Sequence, residues 1–368
     1  MKELKFFIDC SVFDRSPQGT TTYIAGLYTE LIKNKEHHFY FASHTNNFKD
    51  TFGEHDNVTY LKYTSNNKYV RLLIDIPRFI KKLNIDYAHF QYIIPPITYC
   101  KYIVTIHDVL FLDFPKYFPL GYKLSKKYLF QWSIKRAAIV LTVSEYSKNS
   151  IVNHFNRADV TITPNAVDPV FFEDYDKKTV AEKVKKNYGI EDYFLFISRW
   201  EPRKNHDFLL KVFVEKEYYK NHHLVFIGEK AIPNRAYLDY FETLSSEMKE
   251  KIIDLNKLDF NELVAVVRGA RLSIYPSIAE GFGIPPLEAS AVGIPSLCSN
   301  ATAMSDFYFL KEGLFNSNDE NDLNRAIVWG LKQEGQNSVI SSIIKEKYNW
   351  EIAAEVFLKA INENQQLK

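Results

Sequence analysis

A chain of 368 residues is long enough for about two domains of ordinary size, each with its own core. With 46% hydrophobic residues, 25% charged residues and a net charge of +1, it is an ordinary globular composition with no field that would gather nucleic acid. Cys10, Cys100 and Cys298 lie too far apart for a disulfide framework or a zinc site and read as small buried hydrophobes of a reducing compartment.

Short apolar runs rich in β-branched and aromatic residues alternate with segments of helical period, the pattern of parallel α/β layers. In chain order the predicted strands are "LKFFIDC", "HFYFAS", "VTYLK", "DYAHF", "YIVTIHD", "AIVLTVS" and "VTITP", then "YFLFISR", "HLVFIGE", "IIDL", "RLSIYPS" and "IPSLCSN". Predicted helices occupy 20–34, 121–137, 205–216, 234–249, 260–268 and 286–293. Between the two strand series "TPNAVDPVFFEDYDKKT" interrupts any periodicity with prolines and acids, and the tail "YNWEIAAEVFLKAINENQQLK" has the spacing of a closing helix. The expectation is an α/β fold of two Rossmann-like parallel domains facing across a cleft: residues 1–168, residues 177–348, and a helix at 349–368 packing back toward the first domain. No stretch has the length to span a bilayer, and the acids of "MKELKFFIDCSVFDRS" break up what a signal peptide would need, so the expected location is the cytoplasm.

In an open parallel sheet ligands bind beyond the carboxyl ends of the strands, and unusual residues collect there. After the first strand Gly19 precedes Thr20, Thr21 and Thr22 at a helix start, which suits either a phosphate or an ordinary turn with a threonine cap. His107 follows "YIVTI" and precedes Asp108; it is either a contact for a sugar hydroxyl or half of a structural His–Asp pair. In "FISRWEPRKNHDFLL" Arg199 ends a strand, Lys204 follows, and Asn205 is placed to cap the next helix. Two cations beside a helix N-terminus suit a diphosphate, although a solvated basic turn, with Arg203 adjoining them and Glu201 able to pair with either, has the same composition.

"RLSIYPSIAEGFGIPPLEASAVGIPS" is more specific. Gly281 and Gly283 let a loop pass close to a ligand, Pro285 and Pro286 start a helix, and Glu288 falls in its first turn while Glu280 stays in the loop. A carboxylate accepts two hydroxyl hydrogen bonds in a fork, which suits a ribose diol at Glu288 and sugar hydroxyls at Glu280. A favourable charge at the helix dipole would explain Glu288 alone, and neither Glu280 nor the glycines.

"SRWEPRKN" followed by "YPSIAEGFGIPPLEASAVGIPSLCSN" resembles the donor-site signature of the retaining GT-B glycosyltransferases of glycosyltransferase family 4, in the branch that includes bacterial mannosyltransferases. "TIHDVLFLDFPKYF", "LTVSEYSKNSI", "TPNAVD" and "YNWEIAAEVFLKAI" extend the resemblance over nearly the whole chain. It implies GT-B architecture, with an N-terminal acceptor domain and a C-terminal nucleotide-sugar donor domain. Arg199 and Lys204 match the diphosphate-binding cations and Glu288 matches the acid on the ribose. Glu280 matches the acid beside the transferred sugar, with the backbone N–H groups of Phe282, Gly283 and Ile284 near it. His107 matches a histidine at the reaction centre, Gly19 the first glycine of the N-terminal loop, and Lys257 with Leu258 the backbone that touches the base. The chain departs from the pattern at Thr21, where relatives carry a second glycine.

The expected activity is metal-independent, retaining transfer of a hexose from a nucleotide sugar, GDP-mannose before a UDP-sugar, to a glycan or lipid-linked glycan of a surface polysaccharide, with no cofactor. His107, Glu280, Arg199 and Lys204 would carry the reaction. Another nucleotide-sugar enzyme on this fold, an epimerase or phosphorylase, and a non-catalytic nucleotide-sugar-binding subunit are the alternatives. "FPKYFPLGYKLSKKYLFQW" mixes lysines with aromatics and reads either as an amphipathic helix with a solvated basic face or as a peripheral contact of the N-terminal domain with the inner face of a membrane.

Overall fold

In the computed structural model, which describes residues 3–14, 18–46, 48–333 and 338–366, the chain divides into two compact units. One comprises 1–166 with 350–368, and the other 167–349.

The first unit is built on seven parallel strands: β1 (Lys5–Asp9), β2 (His38–Ser43), β3 (Val58–Lys62), β4 (Tyr87–Gln91), β5 (Lys101–Thr105), β6 (Ile139–Thr142) and β7 (Val160–Ile162). Their spatial order is β3-β2-β1-β4-β5-β6-β7. Strands such as Ile139–Thr142 are buried along their full length, as helices on both faces of a parallel sheet require. Right-handed crossovers place Ile76–Leu83, Leu120–Arg136 and Glu145–Phe155 on one face, where Ile76, Ile80, Phe130, Ile134, Ile151 and Phe155 join one apolar cluster with Phe7, Phe90 and Val104. On the other face the Gly19–Leu31 helix packs against the closing helix Trp350–Gln366. A side-chain carbon on Gly26 would fall 1.9 Å from the Trp350 ring, so only glycine permits that approach.

The second unit has β8 (Tyr193–Ile197), β9 (His223–Ile227), β10 (Ile252–Asp254), β11 (Leu272–Tyr275), β12 (Ser296–Ser299) and β13 (Leu314–Phe315), all parallel, in the order β10-β9-β8-β11-β12-β13. Its helices start on side-chain caps where the sequence supplies them: Asp176 accepts from the Lys178 and Thr179 N–H groups, Asp259 from Glu262 and Asp319 from Asn321 and Asp322. The predicted helix at 234–249 is two, Arg235–Glu242 and Ser246–Glu250, because Ser245 caps a new start. Helices at Ile76–Leu83, Glu145–Phe155, Lys177–Tyr188, Glu320–Leu331 and Ser338–Lys347 and the two-residue strand β13 were not among the predicted elements.

Each sheet has one place where the strand order reverses, between β1 and β4 in the first unit and between β8 and β11 in the second. There the following crossovers leave on opposite faces and the loops splay apart, opening a crevice at the carboxyl ends of the strands.

Candidate active site

The crevice of the second unit lies between the loop after β8, Ser198–Asn205, and the loop after β11, Pro276–Gly283. Charged side chains alternate across it. Arg199 lies 3.6 Å from Glu201, Glu201 pairs with Arg203 at 2.8 Å, Arg203 reaches Glu280 at 3.4 Å, and Glu280 accepts from Lys204 Nζ at 2.5 Å. With Glu229, 4.0 Å from Arg199, three cations meet three carboxylates, so this chain of charges is balanced on its own. Burial works against the Glu280 anion, but Lys204 and then Arg203, with a hydroxyl from Ser277, more than offset it and hold its carboxyl below the usual range. Burial holds Lys204 below the ordinary lysine value, and the pull of Glu280 only partly restores it.

The loops are fixed from behind. Arg203 Nη1 donates to the Ala279 carbonyl at 2.6 Å and its own carbonyl accepts from Ile278 N–H, so the residue that could have been a solvated cation ties one loop to the other. Asn205 does not cap with its side chain. Its backbone takes the left-handed conformation at φ 63° and its amide donates to the Pro276 and Ser317 carbonyls, because the tight turn after Pro202–Lys204 points it into the protein. Beneath it Trp200 stacks on His206 with ring centroids 4.1 Å apart. The Glu280 N–H donates to Thr302 Oγ1 at 2.9 Å and its carbonyl accepts from Ala303, which sets the height of the carboxylate.

Gly283 has φ 101°, and a side-chain carbon there would press on Met304 at 3.0 Å. With this residue as cap, the helix Ile284–Ala291 begins one residue ahead of its prolines, so Glu288 falls just beyond the first turn and not within it. Its carboxyl is pushed up to about 7 by burial, with Asp168 adding to the effect. A macrodipole would lower it, so the dipole does not account for this residue. Of the first four positions of this helix only Ile284 and Leu287 carry an N–H, since Pro285 and Pro286 have none.

The structure thus brings Lys204 and Glu280 into direct contact, with Arg199 at the outer end of the ionic chain, 47% exposed and 4.0 Å from Glu229. Phe282 is buried against Phe307 and Tyr348. Lys257 and Leu258 lie in the loop after β10, two strands from β8. Sequence reasoning counted Arg203 and Glu201 only toward a solvated turn and passed over Ser277, Thr302 and Asp168; the structure makes Arg203 a strut instead.

In the first unit, His107 follows β5 and is 7% exposed. Its Nε2–H donates to Gln91 Oε1 at 2.5 Å, Tyr23 meets the ring edge-on at 5.0 Å, and burial pushes its pKa down to about 3. This ring is neutral at any physiological pH, and Nδ1 is left as its acceptor. Behind it His89 bonds Tyr28 and Thr105, and Tyr23 bonds Thr163, without a formal charge among them. Gln91, at the end of β4, carried no sequence signal. Gly19 opens the Gly19–Leu31 helix with Gln18 as its cap, not a threonine, and a side-chain carbon on it would meet nothing within 4 Å. Thr21 Oγ1 turns inward to the Val12 carbonyl. Arg15–Pro17 of that loop lie outside the described residues.

Residues 17–171 match the family Glycosyltransferase Family 4, and residues 177–350 match Glycosyl transferases group 1. The first half of the chain is thus similar to a family 4 glycosyltransferase domain and the second half to a group 1 domain. It is 30% identical to the O-antigen chain mannosyltransferase RfbU of Salmonella typhimurium over 232 residues, 61% of this chain and 59% of that protein. It is 26% identical to the O-antigen chain mannosyltransferase B of Escherichia coli over 259 residues, 68% of this chain and 67% of that one. The match therefore spans less than two thirds of the RfbU length. The fold is that of the GT-B glycosyltransferases: Anabaena Alr3699/HepE in complex with UDP-glucose superposes with a TM-score of 0.72 over 98% of this chain and all of the other, at 12% identity. Among the described residues no helix is long and apolar enough to cross a membrane.

Proposed function

We propose that this chain is a family 4 glycosyltransferase that moves a hexose from a nucleotide sugar to a glycan or lipid-linked glycan of a surface polysaccharide, with retention and without a metal ion. The observation that carries the reading is the Lys204–Glu280 pair at the strand-order reversal, beside two helix N-termini. A nucleoside diphosphate is the leaving group, and stabilising its growing charge is the main catalytic task. Arg199 and Lys204, with the helix N-termini, supply positive charge where a metal ion would otherwise act. Glu288 receives the ribose diol, and Lys257 and Leu258 contact the base through their backbone.

Glu280 is a poor nucleophile, because its two oxygens are already engaged by Lys204 and Arg203. It positions sugar hydroxyls together with the backbone of Phe282, Gly283 and Ile284. The acceptor hydroxyl attacks from the face the diphosphate leaves and passes its proton to a phosphate oxygen, so no covalent glycosyl–enzyme bond is formed. His107 contacts the donor sugar as a neutral acceptor, and the N-terminal loop at Gly19 approaches the diphosphate.

GDP-mannose is the first donor candidate, supported by the two O-antigen mannosyltransferase relatives. The proposed setting is the cytoplasm, at the inner face of a membrane where a lipid-linked acceptor is presented. A thermal-shift panel of GDP- and UDP-sugars followed by a transfer assay tests the reading. A bound nucleotide sugar at about 100 times its Kd raises stability by about 2.7 kcal/mol. If no nucleotide or nucleotide sugar moves the melting point, the donor site is assigned wrongly; if one does but no acceptor is ever glycosylated, the chain is a binding subunit.

A further inference from the structure

Two neutral imidazoles in the first unit share one amide. Gln91 ends β4 opposite Thr105 of β5, His107 follows just beyond Thr105, and His89 lies two residues back on β4. Residues two apart on a strand point to the same face, so the Gln91 and His89 side chains stand next to each other. Gln91 Oε1 lies 2.5 Å from His107 Nε2, and Gln91 Nε2 lies 3.4 Å from His89 Nε2. A separation of 2.5 Å is within reach of an N–H and an oxygen but too close for two nitrogens, so the short contact shows which end of the amide holds the oxygen.

An amide oxygen only accepts and an amide nitrogen only donates. His107 therefore keeps its proton on Nε2, and a lone pair on Nδ1, as long as His89 Nε2 accepts from the other end of Gln91. A proton on His89 Nε2 would confront the amide N–H, and the amide would turn over. His107 would then carry its proton on Nδ1, with no acceptor left to offer a sugar hydroxyl. The surroundings of His89 suit the accepting form. Its Nδ1 lies 2.8 Å from the Tyr28 hydroxyl, which can accept, and its Nε2 lies 2.7 Å from Thr105 Oγ1, which can donate. The Tyr23 hydroxyl is a longer alternative for Thr105, at 3.4 Å. The rings of Tyr28 and of Phe357 on the closing helix flank the imidazole, each with its centroid at 5.7 Å. Burial, with His107 adding to it, pushes the His89 pKa down to about 3, so the ring has one N–H to place.

We propose that His89 is a positioning residue: by accepting from Gln91 it locks the amide, and through the amide it reserves the Nδ1 lone pair of His107 for a hydroxyl of the donor sugar. The inference rests on the proposed function, which makes His107 the sugar contact, and it assigns a task to a buried histidine that touches no substrate itself.

The test is NMR of the full chain labelled at the histidine ring nitrogens. In wild type His89 should carry its proton on Nδ1 and His107 on Nε2. His89→Gln, whose amide oxygen can stand in for Nε2, should leave His107 unchanged. His89→Phe, which fills the space without an acceptor, should give His107 a mixture of the two tautomers. Calorimetry with GDP and GDP-mannose supplies the functional readout. His89→Phe should weaken binding of the nucleotide sugar about three- to tenfold and leave that of GDP unchanged, and His89→Gln should restore it. Because His89 acts only through Gln91, adding His89→Phe to Gln91→Ala should cost nothing further. A wild-type His89 protonated on Nε2 overturns the proposal whether or not the variants fold. So does a His107 tautomer that His89→Phe leaves unchanged, or losses that add in the double variant. The expected tautomers in a chain that binds no nucleotide leave the lock on His107 standing and overturn the glycosyltransferase reading instead.

Discussion

The crevice of the second unit is organised by formal charge, whereas the polar groups around His107 in the first unit are held by neutral hydrogen bonds. Lys204, Arg203, Arg199, Glu201 and Glu280 form a ladder of ion pairs, while Gln91, His107, Tyr23, His89, Thr105 and Thr163 form a buried network whose two imidazoles are pushed down to about 3. The difference fits the two tasks of the proposed reaction. A departing diphosphate needs fixed positive charge, and sugar hydroxyls need oriented donors and acceptors that carry none.

The sharpest way to break the comparison is Lys204→Ala. It should reduce kcat about 100- to 1000-fold with the circular dichroism spectrum retained, and a variant that keeps nearly full kcat removes the charged half of the argument. Glu280→Gln comes next: it keeps the shape but leaves Lys204 and Arg203 without an anion, and transfer should fall about 10- to 100-fold. An acceleration would mean that Glu280 had been masking the cations.

Glu288 offers a pH test. Its folded-state carboxyl is raised to about 7, so the folded chain holds a proton that the unfolded chain releases, and stability drops as pH climbs from the ordinary carboxyl range through 7. Glu288→Gln should therefore melt above wild type near pH 8, by about 3 kcal/mol, and differ little near pH 4. If the ribose diol is taken by the carboxylate, nucleotide affinity of the wild type rises across the same interval and one proton is released on binding, measurable by calorimetry in two buffers. A pH-independent affinity removes Glu288 from the ribose.

The smallest effect concerns the neutral half. Gln91→Ala should cost transfer about three- to tenfold by freeing the His107 ring. Gln91→Glu would place a carboxylate on that ring and raise its pKa, so activity should acquire an acidic limb that wild type lacks. Identical pH profiles would show that the neutrality of His107 is immaterial.

The alternation of apolar runs was enough to find β1 to β12, because a strand buried on both faces has nothing but apolar residues to show. β13 escaped because two residues carry no period. Glu280 was singled out by the glycines and prolines around it, which have few structural reasons to cluster, and Lys204 by Arg199 and the helix start beside it; the structure brings the two into contact. What could not be read was partnership. Arg203 looks like Arg199 in sequence, yet one is a strut and the other is half exposed, and only the turn at Asn205 decides which. Gln91 is an ordinary residue until β4 lies beside β5 and brings it to His107. The Leu120–Arg136 segment left its faces undecided for a related reason: which one meets the sheet depends on Phe130 and Ile134.

The closing helix has a consequence for how the chain comes to be. Trp350 fills the space left by Gly26, Phe357 lies against Phe6, Tyr28 and His89, and Asn364 receives Lys101 at 2.6 Å. The first unit is thus completed by a helix made only after the whole of the second, whereas residues 167–349 are contiguous and need not wait. Until that helix is made, the aromatic side of the earlier sheet is uncovered, so removing Trp350–Gln366 should produce a chain whose first defect is insolubility.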